Sequence, residues 1–325
     1  MTKPERVAAA LKGGAVDRVP VSAWWHDFPR EWTAHGLAEA ALEAYRKYDW
    51  DFMKVNPRFS YCAEPWGVEY TTYPDRLPTI ATKAVQSPED LARITSVDAT
   101  HPIYAEQIEA LRLIADGLGG EAQFIETVFS PLATMSFLTG STKYVQRLMA
   151  DHPAELEAAL DAITQSSVTL VRAVFDTGAS GIFYAAVEWG SSDHISWADY
   201  ERFGKPYDVR ILEAAAGAPL NVLHVCQQRN HLMRSLDYPV AAFNWDVHGD
   251  GNPGLAEVLA VTDKAVIGGA NRATLLHGSY GDVIAESDAA NEATGGRRWI
   301  RSPGCSIDPA CDEANLFAMQ GAVQR

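Results

Sequence analysis

One histidine and two cysteines carry the strongest chemical signal in this sequence. His224 and Cys226 stand one residue apart at the end of an apolar, β-branched run, residues 220–226, and Cys305 follows much later in the segment Ser-Pro-Gly-Cys. Side chains alternate along a strand, so His224 and Cys226 should point to the same face. One imidazole and two thiolates suit Zn²⁺, and three protein ligands would leave a fourth tetrahedral position open for a substrate.

The alternative for the same residues is purely structural. Free cysteine often behaves as a small buried hydrophobe, and a lone histidine can sit in a core. Spacing alone does not separate the two interpretations. Both parts of the motif, however, come directly after predicted strands, which favours a metal site. The runs that would carry them are the fifth and the eighth along the chain, so Cys305 would have to reach across on the turn formed by Pro303 and Gly304.

Eight short apolar runs alternate with helix-like segments, and this pattern predicts the elements that must position the three ligands. The runs are residues 19–24, 52–56, 123–127, 181–187, 220–226, 240–245, 265–271 and 299–303. The helical segments are residues 37–48, 103–117, 153–176, 200–216, 252–261, 280–294 and 312–323. The alternation predicts an α/β fold, a single (β/α)8 TIM barrel over residues 1–325. Periodicity alone also permits an open doubly wound sheet.

One connection is longer than a barrel loop requires. Residues 57–120 form a long insertion between the second and third predicted strands, and its first half is rich in Tyr, Pro and Trp. Residues 66–85 are predicted to form a hairpin with Tyr-Pro-Asp at its turn. A long ordered insertion on a barrel often covers the mouth of the active site, although an ordinary structural excursion would give the same pattern.

The composition narrows the class of protein. The 325 residues are 47% hydrophobic, and 42 acidic against 27 basic side chains give a net charge of −15. This balance argues against nucleic acid and against anionic membrane surfaces as partners. No run approaches the roughly 18 apolar residues of a membrane helix, and the first residues lack the apolar core of a signal peptide. Four cysteines are too few for a disulfide framework. We therefore expect a soluble cytoplasmic protein.

Polar residues recur at the carboxyl ends of the predicted strands, where barrel enzymes place their sites. We predict substrate contacts from five of them and proton transfer from two carboxylates. The predicted substrate-binding residues are His26, Asn56, Glu126, Asn244 and Asn271. The carboxylates are Glu188, which could instead be a further metal ligand or part of a helix cap, and Asp246.

Nearly the whole chain resembles the uroporphyrinogen decarboxylase superfamily, which implies a (β/α)8 barrel. The resemblance is carried by Arg6 with Asp17-Arg18-Val19-Pro20, by Tyr48-Asp49-Trp50-Asp51-Phe52-Met53-Lys54, by residues 196–207, by Leu223-His224-Val225-Cys226 and by Pro303-Gly304-Cys305. True porphyrinogen decarboxylases carry Arg-Gln-Ala-Gly-Arg after the first strand and Phe-Ser-Asp after the second. Here those segments read Trp-His-Asp-Phe-Pro-Arg (residues 25–30) and Lys-Val-Asn-Pro-Arg (residues 54–58), which argues against porphyrinogen decarboxylation.

A second branch of that superfamily fits the cysteines better. The chain is similar to the corrinoid-linked methyltransferases, such as the methylcobamide:coenzyme M enzymes, in which His-x-Cys and a distant Cys hold zinc. This resemblance implies that His224, Cys226 and Cys305 bind Zn²⁺. It also implies methyl transfer between a corrinoid (cobalamin), carried by a separate corrinoid-binding protein, and a small-molecule thiol or methyl ether. Gln227 and Gln228 stand where Gly-Asn or Gly-Asp is expected, so the substrate should differ.

Two other functions stay open from the sequence. The first is a metal-free lyase acting on a carboxylated substrate, with His26, Arg58 and Arg272 as anion binders. The second is a non-catalytic corrinoid or tetrapyrrole carrier in which His224 is a ligand. The lyase would tolerate replacement of Cys305, and the carrier would be a coloured protein without turnover.

Overall fold

A parallel sheet of seven strands forms the centre of the molecule in a computed structural model that describes residues 1–322. The strands in chain order are β1 (Phe52–Lys54), β2 (Glu69–Thr71), β3 (Thr79–Thr82), β4 (Gln123–Phe129), β5 (Gly181–Ala185), β6 (Val222–Val225), β7 (Ala242–Trp245), β8 (Ala265–Ala270) and β9 (Trp299–Pro303). The large sheet has the order β1-β4-β5-β6-β7-β8-β9, and β2 and β3 form a separate antiparallel pair. The sheet order follows the chain without reversal, which excludes the doubly wound alternative.

Helices connect the strands of the sheet. They are α1 (Lys3–Leu11), α2 (Ala34–Tyr48), α3 (Pro102–Leu118), α4 (Pro131–Thr139), α5 (Thr142–Asp151), α6 (Pro153–Phe175), α7 (Trp197–Phe203), α8 (Lys205–Ala214), α9 (Leu255–Leu259), α10 (Arg272–His277), α11 (Tyr280–Thr294) and α12 (Glu313–Ala322). The helix predicted over residues 200–216 is divided at Gly204, with a proline in the first turn of the second part. Val323, at the end of the predicted last helix, lies outside the described residues. No described helix is long and apolar enough to span a bilayer.

The first predicted strand is not a regular strand, and here the prediction of eight strands was wrong. Residues 19–24 form only a single parallel bridge, from Val21 to Arg301 of β9. Pro20 has no backbone N–H, which limits regular pairing. The segment still contacts both edges of the sheet, because Ser22 donates its N–H to the carbonyl of Arg301 at 3.0 Å and Asp51 donates to the carbonyl of Val21 at 2.8 Å. The result is a curled, TIM-barrel-like sheet with seven regular strands.

Apolar side chains on one face of the strands pack together inside this curve. The inner cluster includes Trp24, Phe52, Ile125, Phe183, Val222, Ala242, Ile267 and Ile300. Its members are spaced by the two-residue period of a strand, while the alternate residues pack outward against the helices. The polar residues that continue the inner face toward the carboxyl ends of the strands therefore converge above this apolar layer.

The insertion between β1 and β4 contains the β2–β3 hairpin, three short 3₁₀ turns and α3. The hairpin falls inside the predicted range of residues 66–85. It is followed by Ala84 and Val85, whose N–H groups both donate to the carbonyl of Leu138 at the end of α4 at 3.1 Å.

A buried aspartate fixes the start of the chain to the sheet. Asp51 is fully buried and accepts hydrogen bonds from Arg6 Nη1 at 2.7 Å, from Arg18 Nη1 at 2.6 Å and from the N–H of Val21 at 2.8 Å. Arg6 also binds Asp17. The Asp17-Arg18-Val19-Pro20 motif therefore has a structural role in this chain, since it holds the irregular first segment against β1.

Replacing Asp51 by alanine should destabilise the protein by about 3–5 kcal/mol, because it leaves two arginines partly buried without a counter-ion. The free energy of unfolding by denaturant measures this. Asp161→Ala, which removes an exposed ion pair with Arg210, should cost no more than about 1 kcal/mol. Equal losses in the two variants would contradict a structural role for Asp51.

Candidate metal centre

The histidine and the two cysteines converge, as the metal hypothesis requires. The ligand atoms of His224, Cys226 and Cys305 all lie within 4.8 Å of one another. The two sulfurs are 3.8 Å apart. His224 is buried, and both cysteines are partly exposed, so the group lies at the border between the apolar interior and the mouth of the sheet.

Cys305 reaches its partners through a close contact between two backbones. Gly304 follows β9 and lies against the end of β7, which is two strands away. A Cβ atom on Gly304 would stand 2.4 Å from Cα of Asp246 and 2.6 Å from the carbonyl oxygen of Trp245, so only glycine allows this approach. The chain turns inward at this point and brings the sulfur of Cys305 to the end of β6.

Asn244 connects the histidine to the strand that carries the distant cysteine. It is the register partner of His224 on β7 and is fully buried. His224 donates from Nδ1 to Oδ1 of Asn244 at 2.7 Å. The Asn244 amide donates from Nδ2 to the carbonyls of Ile267 at 2.8 Å and Pro303 at 3.1 Å, which fixes its orientation. Nδ1 of His224 is therefore the protonated nitrogen, and Nε2 is the nitrogen left to bind a metal.

The alanine variant of Asn244 should lower metal affinity by about 10- to 100-fold, because it frees the imidazole to rotate and removes the contact to Pro303. Competition with a chromogenic chelator measures the affinity. Asn315 is a matched control, since its buried amide also donates to two carbonyls, those of Leu275 and Gly278, on the far side of α10. Asn315→Ala should change stability and leave metal affinity intact; an equal loss in both variants would count against the positioning role.

The two thiols are electrostatically unequal. The Cys226 thiol donates a hydrogen bond to Cys305, and together with the neighbouring His224 this holds the pKa of Cys305 well below the usual range of a thiol. The same hydrogen bond, with burial, raises the pKa of Cys226. The positive charge of Arg272, at the start of α10, lowers both pKa values. Cys305 is therefore the first of the pair to ionise.

This donor set fits zinc. Two thiolates at about 2.3 Å from a tetrahedral Zn²⁺ are about 3.8 Å apart, which matches the observed separation of the sulfurs. Phe183 stacks on the imidazole of His224, with ring centroids 5.0 Å apart. His224 is thus held by the hydrogen bond from its Nδ1 to Asn244 and by the Phe183 ring, which stacks on the imidazole. Within the described residues, the group that could hold a metal contains no carboxylate.

The two carboxylates predicted to transfer protons have partners other than the metal ligands. Glu188 is in a 3₁₀ turn after β5 and accepts a hydrogen bond from the Thr142 hydroxyl at 3.3 Å. Asp246 follows β7, accepts from the N–H of His248 at 3.1 Å and has Arg272 Nη2 at 3.6 Å. Their predicted roles in proton transfer stay predictions.

Three of the predicted substrate-binding residues already have protein partners. His26 Nδ1 is 2.8 Å from a carboxylate oxygen of the buried Glu31. The side chain of Asn271 accepts from the N–H of Ala273 and caps α10. Asn244, as described above, uses its amide to hold the histidine. Substrate contact from these three residues stays a prediction, and the sequence did not reveal their protein partners.

Glu126 differs from its predicted position at a strand end. β4 continues three residues beyond Glu126, to Phe129. The Glu126 side chain faces α3, where Gln107 donates a hydrogen bond to its Oε1 at 3.0 Å. Burial raises the pKa of Glu126 to about 8. The strand parity explains this outcome, because Glu126 alternates with the inward-facing Ile125.

Asn56 is accompanied by a charged residue that the sequence prediction did not assign. Lys54, two positions earlier on the same face of β1, is buried and donates to Oδ1 of Asn56. Its ammonium group lies 4.8 Å from the ring centroid of Phe183. Burial lowers the pKa of Lys54 to about 7. A lysine in an apolar strand, in phase with Asn56, was the signal that could have revealed it.

Two of the three side chains that a metal-free lyase would use to bind an anion, His26 and Arg58, already have acidic partners. Arg58 is buried and forms ion pairs with Glu64 at 2.9 Å and Glu106 at 2.8 Å. Only Arg272 of the three proposed residues lies next to the metal ligands with an exposed side chain. The structure thus gives less support to that function than to a metal centre.

Comparisons with known proteins agree with this fold. A methyltransferase from Methanosarcina mazei superimposes with a TM-score of 0.87 at 22% identity, over 99% of this chain and 98% of that one. A B12-independent methionine synthase from Shewanella sp. W3-18-1 superimposes with a TM-score of 0.59 at 12% identity, over 89% of this chain and 86% of that one. At these identities the likeness shows the fold alone.

Sequence comparisons identify the family. The uroporphyrinogen decarboxylase from Syntrophotalea carbinolica is 28% identical over 138 residues, and the chloroplastic uroporphyrinogen decarboxylase 2 from Arabidopsis thaliana is 32% identical over 111 residues. These matches cover 39% and 33% of this chain and only 39% and 27% of those proteins. The family model described as uroporphyrinogen decarboxylase (URO-D) matches residues 30–325, and the chain therefore belongs to the uroporphyrinogen decarboxylase family.

Proposed function

We propose that this protein is a zinc-dependent methyltransferase that moves a methyl group between a corrinoid and a small-molecule thiol or methyl ether. The observation that carries the proposal is the convergence of one imidazole and two thiols, from strands that are not neighbours, within 4.8 Å. A structural role for these residues would not require the close backbone approach at Gly304 or the fixed orientation of His224.

In this proposal, different residues of the chain have different roles at the metal centre. His224, Cys226 and Cys305 would hold Zn²⁺, which when bound acts as a Lewis acid toward a thiol or ether oxygen. Asn244 keeps Nε2 of His224 directed at the centre. Arg272 places a positive charge near the two sulfurs. Asp246, whose carboxylate is 3.6 Å from Nη2 of Arg272, is our candidate for holding a substrate proton.

The proposed use of a corrinoid is supported by similarity to other proteins, whereas the proposed zinc site is supported by the geometry of its ligands. The support for the corrinoid is the resemblance of the motif to corrinoid-linked methyltransferases and the full-length superposition on a methyltransferase from Methanosarcina mazei. We propose that a separate protein carries the corrinoid to the mouth of the sheet, where Cys226 and Cys305 are partly exposed.

Decarboxylation is the second candidate, because the curated relatives are uroporphyrinogen decarboxylases. The residues of this chain support it less well. Lys54, at the end of β1, and Asn56, just after it, occupy the segment where porphyrinogen enzymes carry aspartate, and Arg58 is paired with two glutamates. A decarboxylase would also leave the three converging soft ligands unexplained.

Two assays separate these functions. Zinc-loaded protein is incubated with methylcobalamin and a panel of thiols, and with reduced cobalamin and aryl methyl ethers, while cobalamin absorbance reports transfer. In parallel, release of CO₂ from uroporphyrinogen is measured. We expect methyl transfer that is lost in His224→Ala, and no CO₂ release. Decarboxylation that survives His224→Ala would refute the proposal.

A further inference from the structure

A cavity of about 310 Å³ opens beside the metal centre, between α2 and the segment that follows β9. Most of the residues that line it are aromatic or apolar, and the others are charged or polar. The aromatic and apolar residues include Trp25, Tyr48, Met53, Ile307 and Leu316. None of the three metal ligands lines the cavity, but its inner end is formed by Lys54 and Asn56.

The unpaired polar groups in the deep part of the cavity are hydrogen-bond donors. Nδ2 of Asn56 and Nε1 of Trp50 are buried and have no hydrogen-bond partner among residues 1–322. Lys54 donates to Oδ1 of Asn56, and no carboxylate of the described chain lies within ion-pair distance of its ammonium group. Buried donors without partners are rare and call for an acceptor. The deep end is therefore built for a ligand that carries an oxygen acceptor.

The basic side chains at the outer end of the cavity already have acidic partners. Arg30 forms ion pairs with Asp27 and Glu43, and Lys47 pairs with Glu313. Asp308 also lines the cavity but is exposed. Lys54 is thus the buried basic group of the cavity without an ion-pair partner. Burial disfavours its charged form, and an anionic oxygen bound beside it would favour that form.

The inner end of the cavity meets the metal centre through two contacts. Ser306, which follows Cys305, donates from Oγ to Oδ1 of Asn56 at 3.4 Å. Lys54 lies over the ring of Phe183, and that ring stacks on His224. The oxygen of a ligand bound against Lys54 and Asn56 would therefore be separated from His224 by the ring of Phe183.

We propose that this cavity binds a single-ring aromatic compound, with an anionic oxygen of the ligand against Lys54 and Asn56 and its ring between the aromatic walls. This inference rests on the proposed function and names the class of its methyl donor or acceptor. A cavity of about 150 Å³ accommodates benzene, so 310 Å³ suits one substituted ring and is too small for a corrin macrocycle. The corrinoid would have to approach from the open mouth.

Calorimetric titration of metal-free protein with benzoate tests the proposal, and benzamide and acetate serve as ligands that lack the charge or the ring. We expect benzoate to bind at least about tenfold more tightly than either. Lys54→Met should weaken benzoate binding about tenfold or more. Lys47→Met, a lysine change at the outer end, should leave it unchanged.

A second variant guards against misfolding of Lys54→Met. Ala41, on the α2 side of the cavity, can be replaced by phenylalanine, which fills the apolar space without removing the buried charge. Ala41→Phe should also weaken benzoate binding. Benzoate binding that is no tighter than acetate, or that both variants leave intact, would overturn the proposal. Because the titration uses metal-free protein, its result is independent of whether methyl transfer is found.

Discussion

Cys305→Ser protein should contain almost no zinc after purification, whereas the wild-type chain should carry about one ion. Serine presents a hydroxyl that does not ionise at neutral pH, so the centre loses its more acidic thiol and keeps two ligands. Zinc affinity should fall by more than about 100-fold, since the loss of a direct ligand exceeds the effect of a supporting residue. Mass spectrometry of bound metal and chelator competition measure the two quantities. Methyl transfer should be lost with the metal.

Cys62→Ser is the matched control for this change. Cys62 is buried in the insertion, its sulfur lies 3.3 Å from the carbonyl of Phe59, and burial raises the pKa of its thiol. Its replacement should leave the zinc content unchanged. If Cys305→Ser protein retained zinc at wild-type affinity, Cys305 would not be a metal ligand and the proposed three-ligand centre would be refuted.

Gly304→Ala should have a comparable effect although glycine binds no metal. The added Cβ would stand 2.4 Å from Cα of Asp246. This Cα belongs to the backbone at the end of β7, which moves only at a cost. Relief of this clash should cost about 1–3 kcal/mol of stability. It should also displace the sulfur of Cys305 from its partners. We expect zinc affinity to fall at least about tenfold, with the secondary structure unchanged by circular dichroism.

Gly268→Ala provides the comparison for that change. Gly268 lies on β8, the strand between β7 and β9, and a Cβ there would meet nothing closer than 3.5 Å. This variant should keep its zinc. A Gly304→Ala protein with wild-type zinc affinity would show that the close approach at Gly304 does not position Cys305.

The sequence was sufficient to predict the parts of the centre that depend on local rules. The alternation of side chains along a strand placed His224 and Cys226 on one face, and seven of the eight predicted runs contain regular strands of the sheet. The position of Cys305 was harder, because its strand is three places away from β6 in the sheet. The sequence predicted a turn at Pro303 and Gly304, but it did not reveal the backbone contact between Gly304 and the end of β7 that closes the distance.

Other features depended on partners that are distant in sequence. Asn244 was predicted to bind substrate, but the register of β6 and β7 places it opposite His224, and register cannot be read from either strand alone. Glu126 was expected near the mouth, and its parity on β4 turns it toward α3 instead. The first run, residues 19–24, has the composition of a strand, yet Pro20 leaves it with a single bridge.

The late position of Cys305 has a consequence for how the chain acquires its metal. The ligands His224 and Cys226 are available once β6 is in place, but the third arrives only with the chain that follows β9, the last strand. The hydrogen bond from Asn244 Nδ2 to the Pro303 carbonyl also requires that β9 has joined the sheet. A metal ion that binds only the completed set stabilises only molecules in which the final strand has joined the sheet. Zinc retention is thus a readout of complete assembly, and it should respond to weakening of the β8–β9 pairing before the helical content of the protein changes.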